Sequence, residues 1–323
     1  MPENHNRTQI TRRRALALGG GVAGGLIATS PAARAGIAAA RAHPIRHQHG
    51  KLPYSDIQTI LEAEGSVTGG VLGVGMDRDD IGTVKKTNQG VSFPPSFQIH
   101  HDLFFQPLGD KLAFFNGDVA LRPAELNPVI DAVLSHGLTF QAQHQHFFDL
   151  DPMVWFIHFR GTAEPKRLAH AVRDVIKATG TPLPQKSAKP DTPLDVKLLE
   201  KTLHGTAEVG ANGVVTVDVS RKDTIVIDGI ATSPDLNIST NIEFVSLDGT
   251  DKNVAVAPDF SMRAGEIAPV IGLARKYGFE IGCLYNQETS EEPQLYFSHA
   301  FKVGDPYAIA SEIRRCLNHT RSD

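Results

Sequence analysis

Cysteine is scarce: two residues, Cys283 and Cys316, in a chain of 323. Two thiols build neither a disulfide framework nor a thiolate zinc cluster. Nor is one sign of charge in surplus. Lys and Arg number 32 against 36 Asp and Glu, a formal −4 with a pI near 6.4, so no basic field exists to hold nucleic acid. Tryptophan occurs once, and no apolar run is long enough to cross a bilayer as a helix. A Gly-x-Ser-x-Gly elbow, a His-Glu-x-x-His helix and a Walker loop are all missing, which removes three common hydrolase chemistries. What is present, 41% hydrophobic and 21% charged residues, describes a folded globular chain with room for about two domains of roughly 150 residues.

Residues 1–35 read as an export signal. Thr11-Arg12-Arg13-Arg14 precedes a glycine- and alanine-rich apolar stretch, and Ala33-Arg34-Ala35 supplies a small-residue cleavage site. The arginine pair points to twin-arginine export, and so to a periplasmic or extracellular bacterial protein. Five arginines against Glu3 make this the one strongly basic stretch; the remainder carries about −8. Gly19-x-Gly21-x-x-Gly24 matches a dinucleotide fingerprint by letters alone, with no preceding strand and no acidic residue about 20 positions on. No nucleotide cofactor is expected. Residues 36–54 read as a flexible segment. No cysteine lies near the cleavage site, so neither a lipid anchor nor stable membrane attachment is expected.

The rest of the chain repeats itself. At an offset of 141, residues 118–176 align without a gap on 259–317, with 13 identities in 59 positions. These include Asp118/Asp259, Arg122/Arg263, Glu125/Glu266, Gly137/Gly278, Phe156/Phe297 and His158/His299. The boundaries are a first copy at 55–180, a proline-rich linker at 181–194, and a second, degenerate copy at 195–318. Strand patterns precede a helix opened at Pro123 and closed by Gly137, then a hairpin over about 138–160, then a helix at about 165–178. The fold class is α+β: a tandem duplication of an antiparallel sheet ending in a β-α-β-β-α unit, with the helices on one face.

Histidines mark the hairpin. In 138–146 the even positions run Leu138, Phe140, Ala142, His144, His146, so period two puts both imidazoles on the face those apolar residues bury. The return strand carries His158, which a turn centred on Asp151 would set opposite His144, with Cβ atoms about 4.5–5.5 Å apart. Three buried imidazoles are the set an open zinc, copper or iron site uses. The alternative is that each histidine bonds its own neighbour. His100 or His101 offers a fourth ligand; neighbours on a strand point oppositely, so one at most would join. Asp118 and Glu125 are candidate acceptors behind the ligands, or a general base, although Glu125 also suits the first turn of its helix, beside Arg122. The second copy has Tyr285, Gln287 and His299 at the three ligand positions, so one copy at most holds the whole set. Cys283 and Cys316 both read as facing one core, as free thiols or a disulfide.

Asn127-Pro128 at the helix start, His144-Gln145-His146, and Ile157-His158-Phe159 together resemble the LppY/LpqO family of exported bacterial proteins, a domain of unknown function. The resemblance covers both copies and is closer in the first. It implies an extracytoplasmic setting and no established reaction. Two readings stand: a transition-metal site at His144, His146 and His158, or a metal-free module for a cell-wall or other envelope ligand.

Overall fold

The computed structural model describes residues 50–186 and 190–322. Residues 1–35, read as an export signal, and residues 36–49 of the following segment lie outside the described residues. Among those described, no helix is long and apolar enough to cross a membrane.

Each copy builds one six-stranded antiparallel sheet. In spatial order the first contains Ser66–Thr68, Val71–Asp77, His100–Leu108, Leu112–Leu121, Trp155–Ala163 and Thr139–His144. The second contains Thr206–Val209, Val215–Val219, Thr240–Ser246, Val254–Met262, Tyr296–Gly304 and Glu280–Ile281, in the corresponding order. Helices Tyr54–Leu61, Leu126–Ser135 and Pro165–Lys177 cover one face of the first sheet; Val196–Leu203, Ala264–Lys276 and Pro306–Leu317 cover one face of the second. The fold is α+β with a tandem duplication. The short opening helix of each copy escapes the sequence reading, because eight residues give too few turns for a clear period.

The last helices show why the copies fold alike. Glu164 accepts from the Arg167 backbone N–H at 2.9 Å, and Asp305 accepts from Tyr307 and Ala308, each ahead of a proline in the first turn. Leu168, Val172 and Val175 in one helix, and Ile309, Ile313 and Cys316 in the other, then fall on the face buried against the sheet. Cys316 and Cys283 are free thiols.

A buried charge cluster is duplicated as well. Arg78, fully buried, donates to Asp80, to Glu125 and to the Ala120 carbonyl; Arg221 does the same with Asp223, Glu266 and the Ser261 carbonyl. Glu125 also accepts from the Arg122 backbone N–H, closing the helix start. Removing one member strands the others in a poorly solvated site. Arg78→Ala is therefore expected to lower stability by about 3–5 kcal/mol in urea denaturation, and a change below about 0.5 kcal/mol would contradict this reading of the cluster.

The sheet faces without helices turn toward each other. Phe93, Phe97, Ala120 and Phe156 of the first copy share one cluster with Val245, Ala255, Ala257 and Phe301 of the second. Val71 and Phe114 share another with Ile225, Ile227, Leu236 and Leu295. Small three-stranded sheets, one from Val84–Lys86, Val91–Phe93 and Leu150–Asp151, the other from Val226–Ile227, Ile230–Ala231 and Glu291–Glu292, belong to these segments. Each copy thus lays its small sheet over the other copy's large one. Lys86, fully buried, ties the exchange by bonding Asp149 of its own copy and Glu280 of the other.

Candidate metal centre

The hairpin does not close as its sequence suggests. Leu150 and Asp151 leave it to pair with Lys86 and Lys85, so no tight turn centres on Asp151. Thr139 and Phe140 pair with Arg160 and Phe159, whereas Ala142 and His144 pair with His158 and Phe156. Gln141 is the extra residue of a β-bulge. Its side chain is held from three sides: it donates to Asn116 Oδ1 at 3.2 Å, accepts from the Thr289 backbone N–H at 3.2 Å, and accepts from Arg160.

The bulge changes faces. Leu138 and Phe140 pack under the helices, while His144 comes out on the opposite face, with Phe156 and His158. An uninterrupted strand would have sent His144 toward the helices. The second copy repeats the slip: Glu280 and Ile281 pair with Phe301 and Ala300, then Tyr285 pairs with Phe297.

The histidines of both copies therefore meet between the sheets. One ring nitrogen from each of His144, His146 and His299 lies within 4.8 Å of the other two, close enough for the three to hold a metal ion. His146 stacks on His299 with ring centroids 3.6 Å apart, and Tyr285 stacks on His144 at 3.7 Å. His158 stands beside this group, its ring 5.1 Å from that of His144. Asp118 lies directly opposite His158 across the sheet, Nε2 to Oδ2 3.8 Å, and Asp259 opposite His299 at 3.6 Å. These two pairings are equivalent under the repeat, and the repeat mates His144 and Tyr285 stack on each other, so the copies face each other across the cluster with approximate twofold symmetry, about a pseudo-twofold axis.

The space between them is a polar cavity of about 30 Å³, lined by His146, His158, His299, Asp118, Asp259, Tyr285 and Gln287. His100, Asp102 and Glu243 line it toward solvent, where Asp102 is 32% exposed. His100 sits between the two carboxylates, 3.1 Å from Asp102 and 3.4 Å from Glu243; despite its burial, they raise it well above the ordinary histidine range. His101 points to the other side. Its Nδ1 accepts from the Ala120 N–H, so its Nε2–H donates to Thr181, which occupies both nitrogens. Glu125 belongs to the Arg78 cluster and caps its helix, away from the imidazoles.

Several buried polar atoms here make no hydrogen bond: both ring nitrogens of His144, Nδ1 of His146, Nε2 of His158, and Oδ1 of Asp118 and of Asp259. Burial with no such partner costs roughly 1–3 kcal/mol per group, so a cluster of them marks a place built for something else. At His299 the Nδ1–H donates to Gln98 Oε1 at 3.2 Å, which leaves the Nε2 lone pair turned to the cluster, 3.4 Å from Tyr285 Oη. Burial holds His144, His146 and His299 well below the ordinary histidine range and pushes His158 down to about 3, so all four are neutral. Burial pushes the Asp259 carboxyl up to about 7 and raises Asp118 well above its usual range.

His299, the repeat mate of His158, joins His144 and His146 in the close group, with His158 beside it. The repeat offset marks His299 in the sequence, but its approach to the other copy is long-range and leaves no local signal.

The family described as Domain of Unknown Function (DUF1259) matches residues 55–178 and 198–319. The chain belongs to this family and carries its domain twice. No curated protein matches the chain. Among solved structures, EtuB from Clostridium kluyveri is similar at 12% identity over 80% of this chain and 90% of that one, with a TM-score of 0.22.

Proposed function

We propose that the chain binds one transition-metal ion between its two copies, through His144, His146 and His299. The observation that carries this is the convergence of three neutral, buried imidazoles within 4.8 Å, several of their nitrogens without a partner. Imidazole donors with carboxylates behind them suit a first-row ion such as zinc, copper or iron. The charge state of the cavity supports the same reading. Neutral histidines beside Asp118 and Asp259, both carboxyls raised by burial, leave the imidazole cluster short of negative charge, and a dipositive ion there would favour the carboxylate form of both. The LppY/LpqO likeness and the export signal of residues 1–35 add a proposed setting outside the cytoplasm, in or beyond the envelope.

Elemental analysis of the full chain tests the proposal. One equivalent of metal is expected, reduced to background in His144→Ala/His146→Ala. Background metal in the parent chain would remove the reading, and a metal-free chain that captures cell-wall fragments would favour an envelope binding module instead.

Metal uptake should also release protons in a particular direction with pH. The imidazoles are already neutral and have none to give. Asp259, near 7, is protonated below that pH and ionised above it. Uptake at pH 6 is thus expected to expel roughly one proton more than uptake at pH 8.5, read by calorimetry in buffers of different ionisation enthalpy. Release that grows with pH would contradict the assignment of Asp259.

A further inference from the structure

The pseudo-twofold axis gives the cavity two halves. One is lined by His146 and His299, with His144 packed beside them. Its mate is formed by the residues at equivalent positions: Tyr285, Gln287 and His158. The mate lacks two of three imidazoles and so cannot repeat the metal site, yet it is neither filled by apolar side chains nor closed on itself. Tyr285 Oη donates to Asp259 at 3.2 Å, and the Gln287 amide donates to the Asn237 carbonyl. His158 Nε2 and Asp118 Oδ1, in residues 2% and 7% exposed, have no partner and line the same cavity. Two side chains of this half are therefore occupied with the protein, and two are left for something else.

We infer that this second half is a subsite for a small polar ligand of one or two non-hydrogen atoms, held beside the ion by His158 and Asp118. The inference rests on the metal reading above and adds the size and chemistry of what the site accepts. Size follows from volume. A cavity of about 30 Å³ has room for roughly two waters, at 10–15 Å³ of such space each. Once an ion occupies one half, a sugar ring or a peptide cannot enter. Chemistry follows from the free atoms: an imidazole nitrogen and a carboxyl oxygen, which pair with a ligand that both donates and accepts hydrogen bonds. Tyr285 and Gln287 stand where the other half has His144 and His146, which makes this a ligand position rather than a second metal position.

The test uses the full chain loaded with Co(II), whose visible spectrum reports a ligand added beside it. Hydroxylamine at pH 8, a neutral molecule of two non-hydrogen atoms that both donates and accepts, is the probe, and imidazole, a five-membered ring, is the size control. Hydroxylamine is expected to change the spectrum saturably in the parent chain, and imidazole to leave it unchanged. His158→Gln should weaken hydroxylamine at least tenfold while one Co(II) per chain is retained, which also shows that the variant is folded, and Asp118→Asn should do the same at Co(II) concentrations that saturate it. Hydroxylamine binding that is the same in both variants overturns the inference, as does imidazole binding as tightly as hydroxylamine. Loss of Co(II) from His158→Gln would make His158 a ligand to the ion and also overturns it. A parent chain that takes up no Co(II) is a separate result, which removes the metal reading itself.

Discussion

Replacing His299 with alanine is expected to lower the affinity of the chain for a transition metal by at least about 100-fold, although His144 and His146 remain in the other copy. A four-ligand zinc site is worth about 10–16 kcal/mol, so each ligand carries roughly 3 kcal/mol, or about 100-fold. The expectation depends on the folded chain in an unusual way. His299 joins the group only because the two bare sheet faces turn toward each other, and because the bulge at Gln141 brings His144 out between them. Competition against a chelator of known affinity measures it. His170→Ala, at an exposed position on the Pro165–Lys177 helix, is the control and should bind as the parent does. Affinity within threefold of the parent in His299→Ala, with abolition in His158→Ala, would put the ion inside the first copy alone.

The second large effect is expected at a residue with no side chain. Gly282 of the second copy occupies the repeat position of Gln141, and its backbone N–H donates to the His299 carbonyl at 2.8 Å. A Cβ there would run into the carbonyl oxygen of His146 and reach Phe147 at 3.1 Å. One residue thus sets the approach of two proposed ligands, one from each copy. Gly282→Val must push the His146 backbone away or break the bond to His299. Stability should fall by about 1–3 kcal/mol, and metal affinity should fall with it. Gly272→Ala makes the comparison: this glycine lies inside the Ala264–Lys276 helix with nothing within 4 Å of the added carbon, so helix propensity alone should stabilise it by about 0.5–1 kcal/mol. Parent-like stability and metal affinity in Gly282→Val would show that the two hairpins do not meet there.

Much of this architecture is legible in the residues. The 141-residue offset, the Pro165 and Pro306 helix starts behind acidic caps, and the Gly137 helix stop are local signals, and each fold element they mark is present. His144-Gln145-His146 and His158 also stand out as an unusual concentration of imidazole on a strand pair. What escapes the sequence is long-range. Period two assumes an unbroken strand, and the bulge that breaks it is pinned by Asn116, Arg160 and Thr289, residues recognisable as neighbours of Gln141 only after folding. The apolar face that carries Val154, Phe156 and Phe301 is buried against the other copy rather than under helices. A duplication reads in sequence as two self-contained units. Here Lys86 reaches Glu280, Asn116 reaches Glu288 and Gln98 reaches His299, so the polar centre is common to both.

X-ray absorption at the metal edge of the loaded full chain tests the central claim most directly, because it counts the ligands around the ion. Three imidazole nitrogens at about 2.0–2.1 Å are expected in the parent chain, and two in His299→Ala held at saturating metal. A shell of oxygen alone, or a nitrogen count unchanged by His299→Ala, would contradict a site shared between the two copies.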